Sequence, residues 1–249
     1  NFTAGAMPGP VLVRGLKLGL PICEDIWTPD VVECLQESGA DMIVSLNASP
    51  FDSRKNDQRM THAVSRTIES SLPLLYVNLI GGQDELVFDG ASFITDAQGN
   101  EIYNLKSHQE DFADTHWQKT ETGLNFVGDK VIYKDKDRLH EIYATLVLGL
   151  RDYVNKNGFK GILLGMSGGI DSALSAAVAV DALGADRVQC VMMPSPYTSQ
   201  ESLDDAASCT ALLGAKYDNI NIGPSMDAFT HMIENNTEKK SDGLTAENI

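Results

Sequence analysis

Residues 161–166 form an apolar run, the hexapeptide Ser167-Gly168-Gly169-Ile170-Asp171-Ser172 follows at once, and an alanine-rich stretch continues from it. A strand that breaks at paired glycines and opens straight into a helix leaves backbone N–H groups converging at the positive end of the helix dipole. That constrains this part of the chain to a strand–turn–helix layout of the α/β class, with an anion, phosphate above all, at the turn. The glycines let the backbone approach with no Cβ in the way, and Ser167 and Ser172 add hydroxyl donors. The Gly-Lys-Ser/Thr ending of a Walker A loop is missing, so no lysine is positioned to grip a γ-phosphate. Asp171 would repel a bare phosphate but suits a Mg²⁺ that bridges phosphate oxygens, which favours chemistry in which pyrophosphate leaves. The same hexapeptide also reads as an ordinary glycine turn whose helix is capped by Asp171 or Ser172.

The surroundings decide for phosphate. An amphipathic helix is expected over 137–157, then a strand over 161–166, a helix over 171–183, a strand over 187–193, a helix over 200–213 with Ser199 as its N-cap, and a strand over 217–222. This βαβαβ succession predicts a doubly wound parallel sheet with the glycine turn at the carboxyl ends of its strands, where such sheets bind nucleotides. The acidic Glu201, Asp204 and Asp205 read as the solvated first turns of a helix.

The first hundred residues alternate in the same way. Two strands surround Arg14-Gly15 within 11–22, and Thr28 is expected to cap a helix with Pro29 at its first position, ending near Gly39. A strand over 41–48, a helix over 56–71 and a strand over 72–79 follow, with the strands expected to be buried on both faces. Gly81-Gly82 reads as the start of a loop, and 91–95 with 101–105 as a hairpin around the turn 96–100. From 107 to 136 charges and glycines dominate, which predicts a linker without a core of its own. The expected organisation is therefore a first domain over 1–112, a linker over 113–136 and a second domain over 137–249.

Of 249 residues, 43% are apolar, enough for a core in each of two modest domains. No stretch approaches the roughly 20 apolar residues of a membrane helix. The formal charge of −16, from 35 acidic against 19 basic residues, disfavours a broad grip on nucleic acid or on anionic lipid. Cys23, Cys34, Cys190 and Cys209 lack metal-ligand spacing, so reduced thiols and a cytoplasmic location are expected. The chain opens at Asn1 and stops within a helix-like run, 244–249, which reads as a fragment.

Cys23 ends an apolar strand and precedes a polar turn, the layout of a nucleophile elbow, although most strand-end cysteines are inert small hydrophobes. Pro21-Ile22-Cys23-Glu24-Asp25-Ile26-Trp27 and Asn47-Ala48-Ser49-Pro50-Phe51 resemble the nucleophile segment and following strand end of the nitrilase superfamily. The stretch from Ser167 to Ala173 is similar to the N-type ATP pyrophosphatases. One family joins these halves in this order, the glutamine-dependent NAD synthetases. Residues 78–90 also look like its segment beside the glutamine pocket, and 191–199 like its second loop over the nucleotide.

The resemblance implies the C-terminal part of a nitrilase-like α/β sandwich followed by the ATP pyrophosphatase domain. It also implies adenylation of deamido-NAD by MgATP, displacement of AMP by ammonia from glutamine, and a homo-oligomer. Cys23 would be the catalytic nucleophile, with the backbone N–H of Glu24 beside it. Ser49, Arg59 and Glu85 are candidates for the polar ends of glutamine. Ser167, Gly168, Gly169, Ile170, Asp171, Ser172 and Met193 are candidates for ATP, and Asp171 for the metal. Ser195, Tyr197 and Thr198 read either as nucleotide contacts or as a capped turn. The family's catalytic Glu and Lys precede its cysteine, whereas residues 1–22 hold no acidic residue and only Lys17, which does not match. The isolated chain is thus expected to fall far short of full activity. Another ATP pyrophosphatase amidotransferase and a non-catalytic binding module are the competing readings.

Overall fold

The computed structural model describes residues 3, 5–53, 56–134 and 137–236, and the run at 244–249 lies outside them. The chain divides into two compact units, Asn1–Gly149 and Leu150–Ile249.

The first unit is built on a six-stranded sheet. Its strands are β1 (Val11–Val13), β2 (Leu16–Gly19), β3 (Met42–Asn47), β4 (Leu74–Asn78), β7 (Phe93–Thr95) and β8 (Glu101–Asn104), in the order β1-β2-β3-β4-β7-β8. β2, β3 and β4 are parallel, and antiparallel pairs close both edges. The parallel crossovers are α1 (Asp30–Glu37) and α2 (Asn56–Ser70). Strand alternation sends Ile43, Leu74 and Tyr76 to the helical side, where they meet Val32, Leu35 and Ala63 in the core. Each fully buried leucine there contributes about 1.5–3 kcal/mol.

The expectation of strands buried on both faces fails on this sheet. Because β2, β3 and β4 are consecutive and parallel, both helices contact one another and the same core. Leu46 and Val77, paired across β3 and β4, remain 47% and 41% exposed on the other face, and Ile22 beside Leu46 is 63% exposed.

Two ribbons replace expected loops. Gly81 and Gly82 lie within β5 (Ile80–Gln83), which pairs with β6 (Leu86–Asp89). Gly81 takes φ +124°, a conformation closed to side-chain-bearing residues, so the glycines serve a distorted strand. The expected linker contains a hairpin of β9 (His116–Thr120) and β10 (Gly123–Val127). Trp117 packs edge-on against Phe126 at 5.6 Å, Leu124 is buried, and Lys119 pairs with Asp41 at 2.6 Å.

Helix α3 (Arg138–Lys156) carries the chain into the second unit. There β11 (Ile162–Gly165), β12 (Val188–Met192) and β13 (Lys216–Asn219) form a parallel sheet in sequence order. Their crossovers are α4 (Ile170–Leu183) and α5 (Gln200–Leu213), and α6 (Gly223–Asn236) follows. Met166, Ala176, Ala179, Val188, Cys190, Met192 and Ala206 make this core. The strands are one wound half of an α/β sheet. Small alanines on α4 and α5 let both helices lie close to the strands and to each other. Among the described residues no helix is long and apolar enough to cross a membrane.

Candidate active site

The glycine turn connects β11 to α4. Gly168 takes φ +81°, and a Cβ there would overlap the backbone oxygen of Ser202 in the first turn of α5. Gly169 is exposed, extended (φ −85°, ψ 162°), and caps α4 without a side-chain bond. Neither Asp171 nor Ser172 is the cap. The serines brace the turn itself: Ser167 Oγ and Ser172 Oγ are 3.0 Å apart, Gly169 N–H donates to Ser167 Oγ, and Ser172 Oγ donates to the Gly169 carbonyl at 2.9 Å. The opening N–H groups of α4 have no carbonyl within the helix to bond. Ile170 and Asp171, the residues that carry the first of these groups, are exposed.

The second loop begins beside this turn. Met193 lies near Gly165 at the end of β11, where a Cβ would sit 3.5 Å from Met193 Cε. Ser195 N–H donates to Thr198 Oγ1, Tyr197 N–H to Ser195 Oγ, and Ser202 N–H to Ser199 Oγ. Ser199 is thus the N-cap of α5, as its sequence position predicts. The hydroxyls of Ser195 and Thr198 are engaged in shaping the loop.

In the first unit Cys23 holds φ +50°, the left-handed region that a non-glycine residue enters at a cost of about 1–2 kcal/mol. The chain reaches it alongside β3, where Leu46 N–H donates to the Pro21 carbonyl. It turns there because Ile22 N–H donates to the Asp25 carboxylate at 2.8 Å and Asp25 N–H returns to the Ile22 carbonyl. The half-buried thiol faces a pocket of 120 Å³ lined by Ile26, Trp27, Ser49, Gln58, Arg59, His62 and Tyr76. Trp27 and His62 stack at 5.8 Å across it. Burial holds the Tyr76 phenol above its ordinary value of 10, against the lowering effect of the Arg59 guanidinium and a hydrogen bond with Ser49, so the phenol is neutral at physiological pH.

Ser49 therefore meets Cys23 in one pocket, but Arg59 arrives already committed. Its Nη1 donates to both carboxylate oxygens of Asp89 at 2.9 Å, its Nη2 to the Ser49 and Pro50 carbonyls, and its Nε to Ser49 Oγ. Arg59 and Asp89 are 8% and 1% exposed, so the guanidinium braces the wall instead of waiting for a substrate carboxylate. Glu24 follows Cys23 in the same turn with its side chain in solvent, and Glu85 lies at the exposed tip of the β5–β6 ribbon, outside the pocket lining. Lys17 bonds through its N–H to Asp41, just before β3, whereas Cys23 lies beyond the other end of parallel β2. Sequence reading missed Gln58, His62 and Tyr76. The helical spacing of 58, 59 and 62 places one face of α2 toward the thiol, and only the fold shows which face. A wider cleft of 750 Å³ in the same unit, with Lys106 and Lys134 on its walls, does not include Cys23.

Comparison with known proteins matches both units. Residues 3–118 fit the family model for carbon–nitrogen hydrolases, and residues 142–249 that for NAD synthase. The glutamine-dependent NAD(+) synthetase of Rhodobacter capsulatus is 42% identical over 224 residues, covering 90% of this chain and 40% of that protein. Its counterpart from Aquifex aeolicus is 38% identical over 277 residues, covering 100% of this chain and 49% of that protein. The structure of glutamine-dependent NAD+ synthetase from Acinetobacter baumannii in complex with ADP superposes with a TM-score of 0.89 at 36% identity, over 99% of this chain and 46% of that one. The chain thus spans less than half the length of these relatives.

Proposed function

Since the chain belongs to the family of glutamine-dependent NAD synthetases, we propose that it supplies the thiol turn and the phosphate turn of an enzyme that amidates deamido-NAD at the expense of ATP and glutamine. A carboxylate is a poor acyl donor until it becomes a mixed anhydride. Attack of the nicotinate carboxylate on the α-phosphorus of ATP forms the adenylate and expels pyrophosphate, whose charge the amides opening α4 would stabilise. Ammonia then displaces AMP. At the other site the Cys23 thiolate attacks the glutamine side-chain amide, ammonia leaves, and water hydrolyses the thioester.

In this reading Ser167, Gly168, Gly169, Ile170 and Ser172 cradle phosphate oxygens, and Met193 borders the nucleotide. The donor set suits Mg²⁺: one exposed carboxylate, Asp171, with the remaining positions left to phosphate oxygens and water, as Mg²⁺ prefers. Such an ion would neutralise charge on the departing pyrophosphate. For glutamine, Ser49 and the Glu24 N–H are the contacts nearest the thiol, while Arg59 holds the wall and Glu85 would need its ribbon to move. The proposal extends to a homo-oligomer in the reducing cytoplasm, consistent with four free cysteines.

One observation carries the reading: the two family matches fall, in order, on the strained thiol turn and on the open glycine turn. Binding tests it more directly than turnover, because the chain is shorter than its relatives. Calorimetric titration with ATP, with and without Mg²⁺, should show saturable Mg²⁺-dependent heat that weakens at least about tenfold in Gly168→Val, where the side chain would strike α5 and misplace the amides. Absence of binding heat in the unaltered chain would refute it.

A further inference from the structure

We propose that His108 is a positioning residue for the thiol site, fastening the backbone behind the Arg59–Asp89 pair to helix α3; this rests on the reading of the Cys23 pocket as a glutamine site. His108 holds φ +59°. A non-glycine residue keeps that conformation only where its surroundings over-determine it. Here they act from several directions. The His108 N–H donates to the Asp89 carbonyl at 2.8 Å, Nε2 lies 2.8 Å from Thr145 Oγ1, and Nδ1 lies 3.4 Å from the Glu141 carboxylate. The ring also meets Phe51 edge-on at 5.8 Å, and the side chain is 8% exposed.

These contacts join two ends of a bonded path. At one end Thr145 and Glu141 are neighbours on α3, where Thr145 Oγ1 donates to the Glu141 carbonyl. At the other, Asp89 holds Arg59, and Arg59 holds Ser49 at the wall of the Cys23 pocket. Phe51 N–H donates to the Val87 carbonyl, a second tie between the strand carrying Asp89 and the segment carrying Ser49. Helix α3 itself runs unbroken to Lys156, past the end of the first unit at Gly149. A shift of its first half is therefore transmitted to Ser49 through His108.

The test reads Cys23 in the full chain by its iodoacetamide alkylation rate, resolved from the other cysteines by peptide mass, and by the glutamine concentration that half-protects it. Thr145→Val, Glu141→Gln and His108→Gly are compared with His108→Asn. Neither Thr145 nor Glu141 lines the pocket, and glycine relieves the backbone while deleting the ring. Each of the first three should raise the half-protecting concentration about 2- to 30-fold, measured at a temperature where every variant remains folded, with ATP binding unchanged. Asparagine tolerates the left-handed backbone and offers an amide toward Glu141, so it should recover part of the loss. Protection equal to the unaltered chain in all three, or changes matched by an equal loss of ATP binding, would overturn the proposal. Should glutamine fail to protect unaltered Cys23, the glutamine reading falls instead, and the alkylation rates decide: changed rates support the role of His108 and unchanged rates end it.

Discussion

A cysteine in the left-handed region is an expensive way to turn a chain, and at Cys23 the expense keeps a thiol aimed into a pocket. The steric cost belongs to the Cβ, so it can be separated from the chemistry of the sulfur. Cys23→Gly and Cys23→Ala both delete the thiol, but only glycine removes the Cβ. The glycine variant should be the more stable by about 0.5–1 kcal/mol in urea denaturation, the steric relief of about 1–2 kcal/mol being partly offset by the freer unfolded chain. A glycine variant less stable than the alanine variant by about 0.4–1 kcal/mol, the full cost of the freer unfolded chain, would mean that the turn stores no strain. That a turn at this thiol follows an apolar strand was legible in the sequence, although β2 ends at Gly19 and Cys23 opens a short 3-10 helix four residues later. The state of Arg59 was not: its partner Asp89 is 30 residues away, and nothing local announces that β6 will deliver a carboxylate to it. A lone arginine near a proposed substrate reads as a ligand, and long-range pairing turned it into a brace.

Single elements were legible where local chemistry was strong. The helices at 170–183 and 200–213 follow from a glycine stop and start and from the Ser199 cap, and the hairpin around Asp96 from its turn residues. Both misread stretches are ribbons interrupted by glycine. β5 hides behind Gly81-Gly82, and the β9–β10 hairpin has its aromatic and aliphatic residues spread among charges, so its small core forms only when Trp117 meets Phe126 across the pair. The hairpin is also tethered at long range by Lys119 to Asp41. Burial works to raise the Asp41 pKa, but the Lys119 hydrogen bond and charge, together with the Lys17 N–H, outweigh it and hold the carboxyl below its usual 3.8. A depressed carboxylate contributes stability that is present above the unfolded value and lost as pH falls through the folded one. Asp41→Asn at neutral pH should therefore increase amide exchange in residues 116–127, and the unaltered chain should come to resemble it only below about pH 3.8, the ordinary carboxylate value. Unchanged exchange in the variant would show that the aromatic contacts alone hold the hairpin.

At the scale of the molecule the described residues form two cores, one in each unit, with one candidate site in each, and the chain carries a formal charge of −16. In the proposed reading ATP would bring further negative charge to that chain, so its binding would depend on local amides and on an accompanying cation, and free ATP should bind far more weakly than MgATP. A ligand stabilises the part of a protein whose folded form it selects, by about 2.7 kcal/mol at a hundred times its Kd. For a unit of about 100 residues that is a rise in melting temperature of roughly 10 °C or more. The sequence provides the means to see where this stabilisation goes, because both tryptophans, Trp27 and Trp117, lie in the first unit while helices and strands lie in both. Saturating MgATP should shift the melting seen by far-ultraviolet circular dichroism and leave most of the tryptophan fluorescence transition in place. Removing Mg²⁺ should reverse the shift. If the tryptophan transition instead moves in step with the dichroism, the units melt as one block through α3, and the separate cores do not give separate stabilities. If neither moves, the glycine turn does not receive the triphosphate.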